Sequence, residues 1–493
     1  MSTAVKKAYD SLEYPTVVVV GGGFAGLELI KGLEGRPYKV LLLDKHNHHC
    51  FQPLLYQVAT ASLSADSIAH PFRRTVAPMP NVAFRMTRVT AVDPARKVVL
   101  SEQGEFKYDI LVLATGSETN FFGMKDLERE AMQLKSIGQA LDIRSDFLQD
   151  FEAALYLQDE HAQKRQLNFT IVGGGPTGVE LAGALAEIRN TILKREYREL
   201  DSGRMRIVLI DSNERVLKNF SEKSSAHALE YLQGMGVEVM LRGRVTSYNG
   251  ETITFKDGST MDSSTVIWAA GVKGSIIPGL EAAVDPKANR YKVDRFNKLQ
   301  GIADVYALGD VAFMQEGNWE YGHPQVAPAA IQQAELLVRN LINQAEGRPM
   351  KEFTYVDKGS MATIGRFKAV VDAGQLHLGG WIAWLGWMFV HLMALVGYPQ
   401  PPASAHGLGM EVHQLEEHHP AHHPALRAEE LRSGRSALAC RSETPSRPAR
   451  YLRPLTRAFW TVVSSFYGSP FSWTSSGSPC SFPWCPISRR RWV

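Results

Sequence analysis

An α/β fold with two parallel-sheet units in tandem is predicted by three observations on this chain. A β-branched strand, a glycine turn, a helical pattern and a strand ending in aspartate follow one another near the start. The same order then recurs from residue 169. Beyond the second copy, Asp, Glu, Lys and Arg stop and an apolar run with three tryptophans begins.

The elements can be taken in order. Residues 16–20 form a valine-rich strand ending at Gly21-Gly22-Gly23-Phe24-Ala25-Gly26, with a helical pattern over 27–33. A second apolar strand, 40–43, ends at Asp44. Strand, tight turn, helix and strand make a βαβ unit, which implies parallel pairing. Residues 110–114 are a further buried strand closing on Thr115-Gly116.

In the second copy, 169–172 leads into Gly173-Gly174-Gly175-Pro176-Thr177-Gly178, a helix over 179–188 and a strand over 207–210 that ends at Asp211. The charged stretch 194–204 lengthens the path to that acid. Residues 266–270 close the unit at Gly271, 305–308 form a strand ending in Gly309-Asp310, and 332–340 read as a helix.

This arrangement is that of two Rossmann-type dinucleotide-binding domains. In each turn the first glycine permits a tight bend, the second lets backbone approach a pyrophosphate, and the third lets the helix pack closely on the sheet. The helix N-terminus offers free N–H groups to phosphate. Asp44 and Asp211 stand where a ribose hydroxyl would donate a hydrogen bond. An acid at Asp211 would repel a 2′-phosphate, which favours NADH over NADPH. Thr115-Gly116 and Gly309-Asp310 fall at the carboxyl edge of the first sheet, where Asp310 could meet the ribityl or phosphate part of FAD or simply cap a helix. The chain thus reads as a flavoenzyme with FAD at one turn and exchanging NADH at the other. A single glycine turn would say little. Two copies, each with its strand, helix and acid, say much.

Composition excludes several classes. The chain is 44% hydrophobic and 21% charged with a net charge of +3, so nothing points to nucleic acid. Of four cysteines only Cys50 lies before residue 399, so no cysteine pair stands ready to take flavin electrons as a dithiol or to oxidise sulfide. Cys50 reads as a bystander thiol. Residues 1–14 are polar and lack the pattern of a secretory signal. Electrons therefore leave for a diffusible acceptor, and the run 376–398 suggests one dissolved in lipid. That run has no Asp, Glu, Lys or Arg and clusters Trp381, Trp384 and Trp387 at one end. It is long enough to span a bilayer, yet its glycines and terminal tryptophans favour a helix lying in the interface.

Residues 399–493 differ from the rest, with eleven Arg, no Lys, six Glu and no Asp against 43 basic and 45 acidic residues elsewhere. A shifted reading frame or a replaced terminus near Tyr398 would produce that break. The segment is expected to be poorly ordered. Its 459–471 stretch and Arg489-Arg490-Arg491 are a candidate lipid anchor, and its histidines (His413, His418, His419, His422, His423) form a weak candidate for a metal site.

Taken together, 17–26, 48–59, 173–180, 269–272, 306–310 and 358–366 resemble the type II NADH:quinone oxidoreductases. The resemblance runs from about residue 17 to 398. It implies a single-subunit, non-pumping respiratory dehydrogenase with non-covalent FAD, peripheral on the cytoplasmic face of a bacterial inner membrane and a homodimer. On the matching positions it places Glu180 near nicotinamide and flavin, Lys358 on the quinone side, and Gln332 as a quinone or flavin contact. The family's Ala-Gln-x-Ala-x-Gln segment departs here at Pro328, where its first glutamine is lost.

The expected division is 1–120 with 295–348 for FAD, 121–294 for NADH, 349–398 for quinone and membrane association, and 399–493 as an atypical tail. Two alternatives stand beside this one: an NADH-dependent reductase of a soluble carrier such as a ferredoxin or rubredoxin, and a membrane-associated NADH-sensing flavoprotein.

Overall fold

A computed structural model of the chain describes residues 9, 11–317 and 319–396. The expectations placed on the tail, including its anchor and its histidine cluster, lie outside these residues. Strand β1 (Thr16–Val20) is a run of valines buried on both faces, as a central parallel strand must be. It passes through the first glycine turn into α1 (Phe24–Gly32), then β2 (Lys39–Asp44), β3 (Val82–Met86) and β4 (Ile110–Leu113).

The chain leaves this unit by β5 (Ser117–Thr119) and enters β6 (Met132–Gln133), α2 (Ile137–Tyr156), β7 (Asn168–Val172) and α3 (Pro176–Ile188). It continues through β8 (Arg206–Ile210), α4 (Glu222–Gly234), β9 (Glu238–Met240) and β10 (Thr265–Trp268). It comes back by β11 (Val272–Gly274) and completes the first unit with β12 (Val305–Ala307) and α5 (Ala327–Ala345). A meander of β13 (Ser360–Gly365), β14 (Lys368–Ala373) and β15 (Leu376–Gly379) precedes α6 (Gly380–Val396).

The first sheet has the order β12-β4-β1-β2-β3 and the second β6-β10-β7-β8-β9, every pairing parallel. Each unit also inserts a three-stranded antiparallel sheet just before its fourth long parallel strand, at Val89–Asp93, Val98–Ser101 and Gly104–Lys107 in one and Val245–Tyr248, Thr252–Phe255 and Thr260–Asp262 in the other. The repeat seen in the sequence is therefore a repeat of whole units. Strands β5 and β11 pair antiparallel, Ser117 opposite Gly274 and Thr119 opposite Val272, where the chain passes out of one unit and returns.

Two expectations change. The boundary at 294 moves back to the crossing at β11, because Ile277, Leu280, Ala283, Tyr291 and Val293 share one buried cluster with Val18 and Leu111 of the first sheet. The apolar run 376–398 is not one segment. Its first four residues are β15, on the edge of the meander, and Gly380, at φ +75°, starts a helix of 17 residues. A left-handed φ suits glycine, and it breaks strand from helix here.

No helix among the described residues is long and apolar enough to cross a membrane. Nor do the tryptophans form a belt: Trp387 and Trp384 are buried, and only Trp381 is half exposed. Trp387 packs in the main core of the second unit and stacks on His391, whose ring meets Phe51 edge-on.

The C-terminal segment binds both units. Phe353 and Tyr355 are buried with the first sheet, and Phe353 donates its N–H to the Arg295 carbonyl. The meander lies on the second unit. There the Asp372 carboxylate accepts from Ser221 N–H, the hydroxyls of Ser221 and Ser224, and His377 Nδ1. Glu187 accepts from the Arg366 N–H.

Candidate active site beside the second glycine turn

The two turns are nearly superimposable in chemistry. Gly21 and Gly173 have φ of +101° and +119°, and a Cβ on either would lie 2.3–2.5 Å from the carbonyl of the strand crossing behind, at Ala114 or Ala269. A Cβ at Gly26 or Gly178 would stand 1.9 Å from the carbonyl oxygen of Gly21 or Gly173. Around Gly23 and Gly175, by contrast, a Cβ would meet nothing within 4 Å. The protein thus leaves open space over the second glycine of each motif, and a pyrophosphate can approach there.

The helices behind support that reading. Neither α1 nor α3 has a side-chain cap, whereas α2 and α4 are capped by Ser136 and Ser221. Uncapped first-turn N–H groups with the positive end of the helix dipole suit an anion. Phe24 and Ala25 open α1, with Phe24 edge-on to His49 and Phe51.

Each aspartate first braces its own turn. Asp44 Oδ2 accepts from Gly22 N–H at 2.6 Å and Oδ1 from His46 N–H at 2.7 Å. Asp211 Oδ2 accepts from Gly174 N–H at 2.5 Å, while Oδ1 accepts from both the backbone and side-chain N–H of Asn213. With two donors already on one oxygen and 8% exposure, Asp211 keeps less room for a ribose hydroxyl than Asp44 does. His49, which the sequence did not single out, donates from Nδ1 to the Gly22 carbonyl at 2.9 Å. Burial pushes its imidazole down to about 4, so it braces the turn as a neutral ring.

At the strand ends, Thr115 donates to the Ser275 carbonyl, and Gly116 and Gly309 take φ of +70° and +69°. Asp310 is not a helix cap. Leu308 holds that position in the short turn Gly309–Val311, and the Asp310 carboxylate instead accepts from the Ser117 hydroxyl at 2.6 Å.

Beside the second turn, against residues 52–56 of the first unit, lies a cavity of about 130 Å³. Its walls include Gln52, Tyr56, Thr119, Lys135, Thr177, Glu180, Trp268 and Gly271. Glu180 stands on α3, two residues beyond Gly178, and accepts from the Thr363 N–H of the C-terminal meander. It keeps part of its surface, which faces the cavity. Burial raises its carboxyl well above the ordinary range, and the single Thr363 bond opposes this only weakly. The structure thus brings Glu180, Thr177 and Gly271 together with residues of the first unit.

Comparison with known proteins fits this geometry. Residues 15–334 match the family model described as pyridine nucleotide-disulphide oxidoreductase. A type II NADH:quinone oxidoreductase of Mycobacterium tuberculosis is 37% identical over 404 residues, spanning 78% of this chain and 84% of the relative. The chain belongs to the type II NADH:quinone oxidoreductase family.

Another type II NADH:quinone oxidoreductase, from Haemophilus influenzae, is 29% identical over 72% of this chain and 86% of its own. In fold, the chain is like NDH2 from Plasmodium falciparum in complex with NADH, with TM-score 0.74, 20% identity and coverage of 81% of this chain and 97% of that one.

Two residues that the type II NADH:quinone oxidoreductase pattern assigns to the quinone side lie apart from the cavity walls. Gln332 forms a reciprocal pair with Val356, its Nε2 donating to that carbonyl and its Oε1 accepting from that N–H, both at 3.0 Å. Its amide is engaged in holding the strap that carries Lys358. Lys358 is partly buried and forms no ion pair within 4 Å among the described residues. Cys50 is a free thiol, and burial pushes it up to about 12, so it offers no thiolate. Lys135 and Ser117 went unnoticed in the sequence because only topology places them here: β6 docks beside β10 and carries Lys135 to the cavity.

Proposed function

We propose that this chain is a non-proton-pumping NADH dehydrogenase that holds FAD at Gly21–Gly26 and NADH at Gly173–Gly178 and reduces a membrane quinone. The observation that carries the reading is the pair of matching pyrophosphate cradles, with a cavity walled by both units and by Glu180 beside the second. FAD supplies the chemistry, taking a hydride from NADH and passing two electrons to quinone. The net reaction is NADH, quinone and one proton going to NAD⁺ and quinol.

The chain's own residues position and protect. The open faces of Gly23 and Gly175, with the uncapped N-termini of α1 and α3, hold the two pyrophosphates. Asp44 and Asp211 meet the ribose hydroxyls, and Thr115, Gly116, Gly309 and Asp310 border the FAD tail. Tyr56, Trp268 and Leu134 exclude water from the cavity. Glu180, whose carboxyl burial raises well above the ordinary range, is placed to hold or pass a proton beside the site where quinol forms. Lys358 and the Gln332–Val356 strap lie toward the quinone.

The enzyme works at a lipid surface, on the cytoplasmic face and as a homodimer. Exposed Phe367, Trp381 and Met393, with Arg366 and Lys368 flanking Phe367 in sequence, support contact with lipid headgroups and acyl chains.

The purified protein is mixed with NADH without oxygen, and a short-chain quinone is then added. Flavin absorbance should bleach and then return promptly on quinone addition. A flavin that NADH leaves oxidised, or that quinone leaves reduced, removes the reading.

A further inference from the structure

Among the described residues that line the cavity, Lys135 is the one cation. It sits immediately before Ser136, the cap of α2, and its backbone N–H is fixed on Gln139 Oε1 at 2.9 Å. Its ammonium donates to the Ser117 hydroxyl at 3.0 Å, and that hydroxyl donates to Asp310 Oδ2 at 2.6 Å. The relay joins three parts of the fold: the entrance to α2, the crossing strand β5, and the loop at the end of the first sheet.

A lysine placed in this way is costly. Burial lowers its affinity for a proton, and Asp310 works in the opposite direction. Its carboxylate partner is reached only through a hydroxyl, so the desolvation cost is poorly offset within the protein. The arrangement becomes favourable when negative charge enters the cavity. On the function proposed above, NADH gives up two electrons and a proton as hydride and leaves as NAD⁺, so one unit of negative charge stays with the flavin. Burial disfavours the charged form of the Glu180 carboxyl on the same wall.

We propose that Lys135 is the cation that meets this charge, with Ser117 and Asp310 fixing the direction of its ammonium. In a water-poor site a preorganised cation stabilises developing charge far more than it would in water. Lys135 thereby sets how readily the cavity accepts electrons, and it leaves NADH affinity nearly unchanged.

The test uses the FAD-loaded enzyme and reads the flavin midpoint potential by reductive titration with dithionite and a reference dye, with no NADH present. Lys135→Met should lower the potential by about 30 mV or more, equivalent to a tenfold shift for a two-electron couple. Lys135→Arg should stay near wild type. In rapid mixing, Lys135→Met should slow reduction by NADH about tenfold at an unchanged half-saturating NADH concentration. A wild-type potential in Lys135→Met overturns the proposal. Should Lys135→Met lose flavin, Lys135→Gln is compared with Lys135→Arg, with the same expected gap. Loss of flavin in all three variants also overturns it, since Lys135 would then only retain the cofactor. A wild-type enzyme that NADH leaves oxidised counts against the proposed function instead, because the dithionite titration does not depend on it.

Discussion

Glu28 and Glu180 stand at the same place in the two halves, each two residues beyond the last glycine of its turn, and they meet opposite surroundings. Both are partly buried, and burial raises both carboxyls. Glu28 lies on α1 with Lys31 near enough to pull its carboxyl back down, while Glu335 pushes it up. Among the described residues Glu180 has no such cation; only the Thr363 N–H opposes its desolvation there, and its free face is toward the cavity. The first glutamate is compensated from within its own unit. The second is left for a ligand, as expected where a fold tolerates local cost for chemistry. The helices differ in the same sense: α1 packs on side chains of α5, whereas α3 packs against the backbone of the C-terminal meander.

The largest expected effect comes from neutralising each glutamate in turn. Glu180→Gln should slow quinone-dependent turnover on the order of tenfold to a hundredfold, whereas Glu28→Gln should leave it near wild type, as steady-state kinetics would show. Stability should move the other way. A carboxyl whose folded value lies above its ordinary 4.5 costs stability progressively as pH rises through and beyond that ordinary value. Glu180→Gln should therefore melt above wild type at neutral pH and close to it in acid, where both side chains are uncharged. A wild type that gains stability relative to Glu180→Gln with rising pH would contradict this.

The helix contrast gives the next effect. A Cβ at Gly183 would fall 1.7 Å from the Ile364 carbonyl oxygen, whereas one at Gly32 would meet the Val338 side chain at 2.6 Å. A side chain can turn aside more cheaply than a paired strand can. Gly183→Ala should cost about 2–3 kcal/mol and Gly32→Ala about 1 kcal/mol or less, measured by denaturant unfolding. Equal losses would show that α3 is no more tightly seated than α1.

Smaller still is Gln332→Ala, which removes two hydrogen bonds to Val356 at a cost of about 1 kcal/mol. It should slow reoxidation by quinone and spare reduction by NADH, as stopped-flow absorbance would separate. Cys50→Ala should change neither step measurably, since a thiol pushed up to about 12 carries no charge at working pH.

What could be read from the chain follows the range of the forces involved. The strands and turns were legible because a left-handed Gly21 or Gly173 and a buried valine run are set by neighbours in sequence. Glu180 was reached through family resemblance, since a glutamate beyond a glycine turn looks alike in both copies and only packing distinguishes them. Lys135 was missed because Ser117 lies 18 positions before it, and Asp310 lies 193 positions beyond Ser117 in the chain. The run 376–398 was read as one piece because hydropathy does not register that Gly380 turns a strand into a helix, or that Trp384 and Trp387 face a core. The Gln332 amide, expected to face quinone or flavin, is bound to Val356, a contact invisible without the strap's path.

The division of labour between the turns is tested most directly by filling each cradle separately. Gly23 and Gly175 have φ of −67° and −74°, and a Cβ there would meet nothing within 4 Å in the protein, so valine should disturb the ligand more than the fold. Bound flavin and its bleaching by NADH are measured in both variants. Gly23→Val should fold without flavin, and Gly175→Val should keep its flavin yet fail to bleach with NADH. Flavin lost from Gly175→Val and retained in Gly23→Val would contradict the assignment.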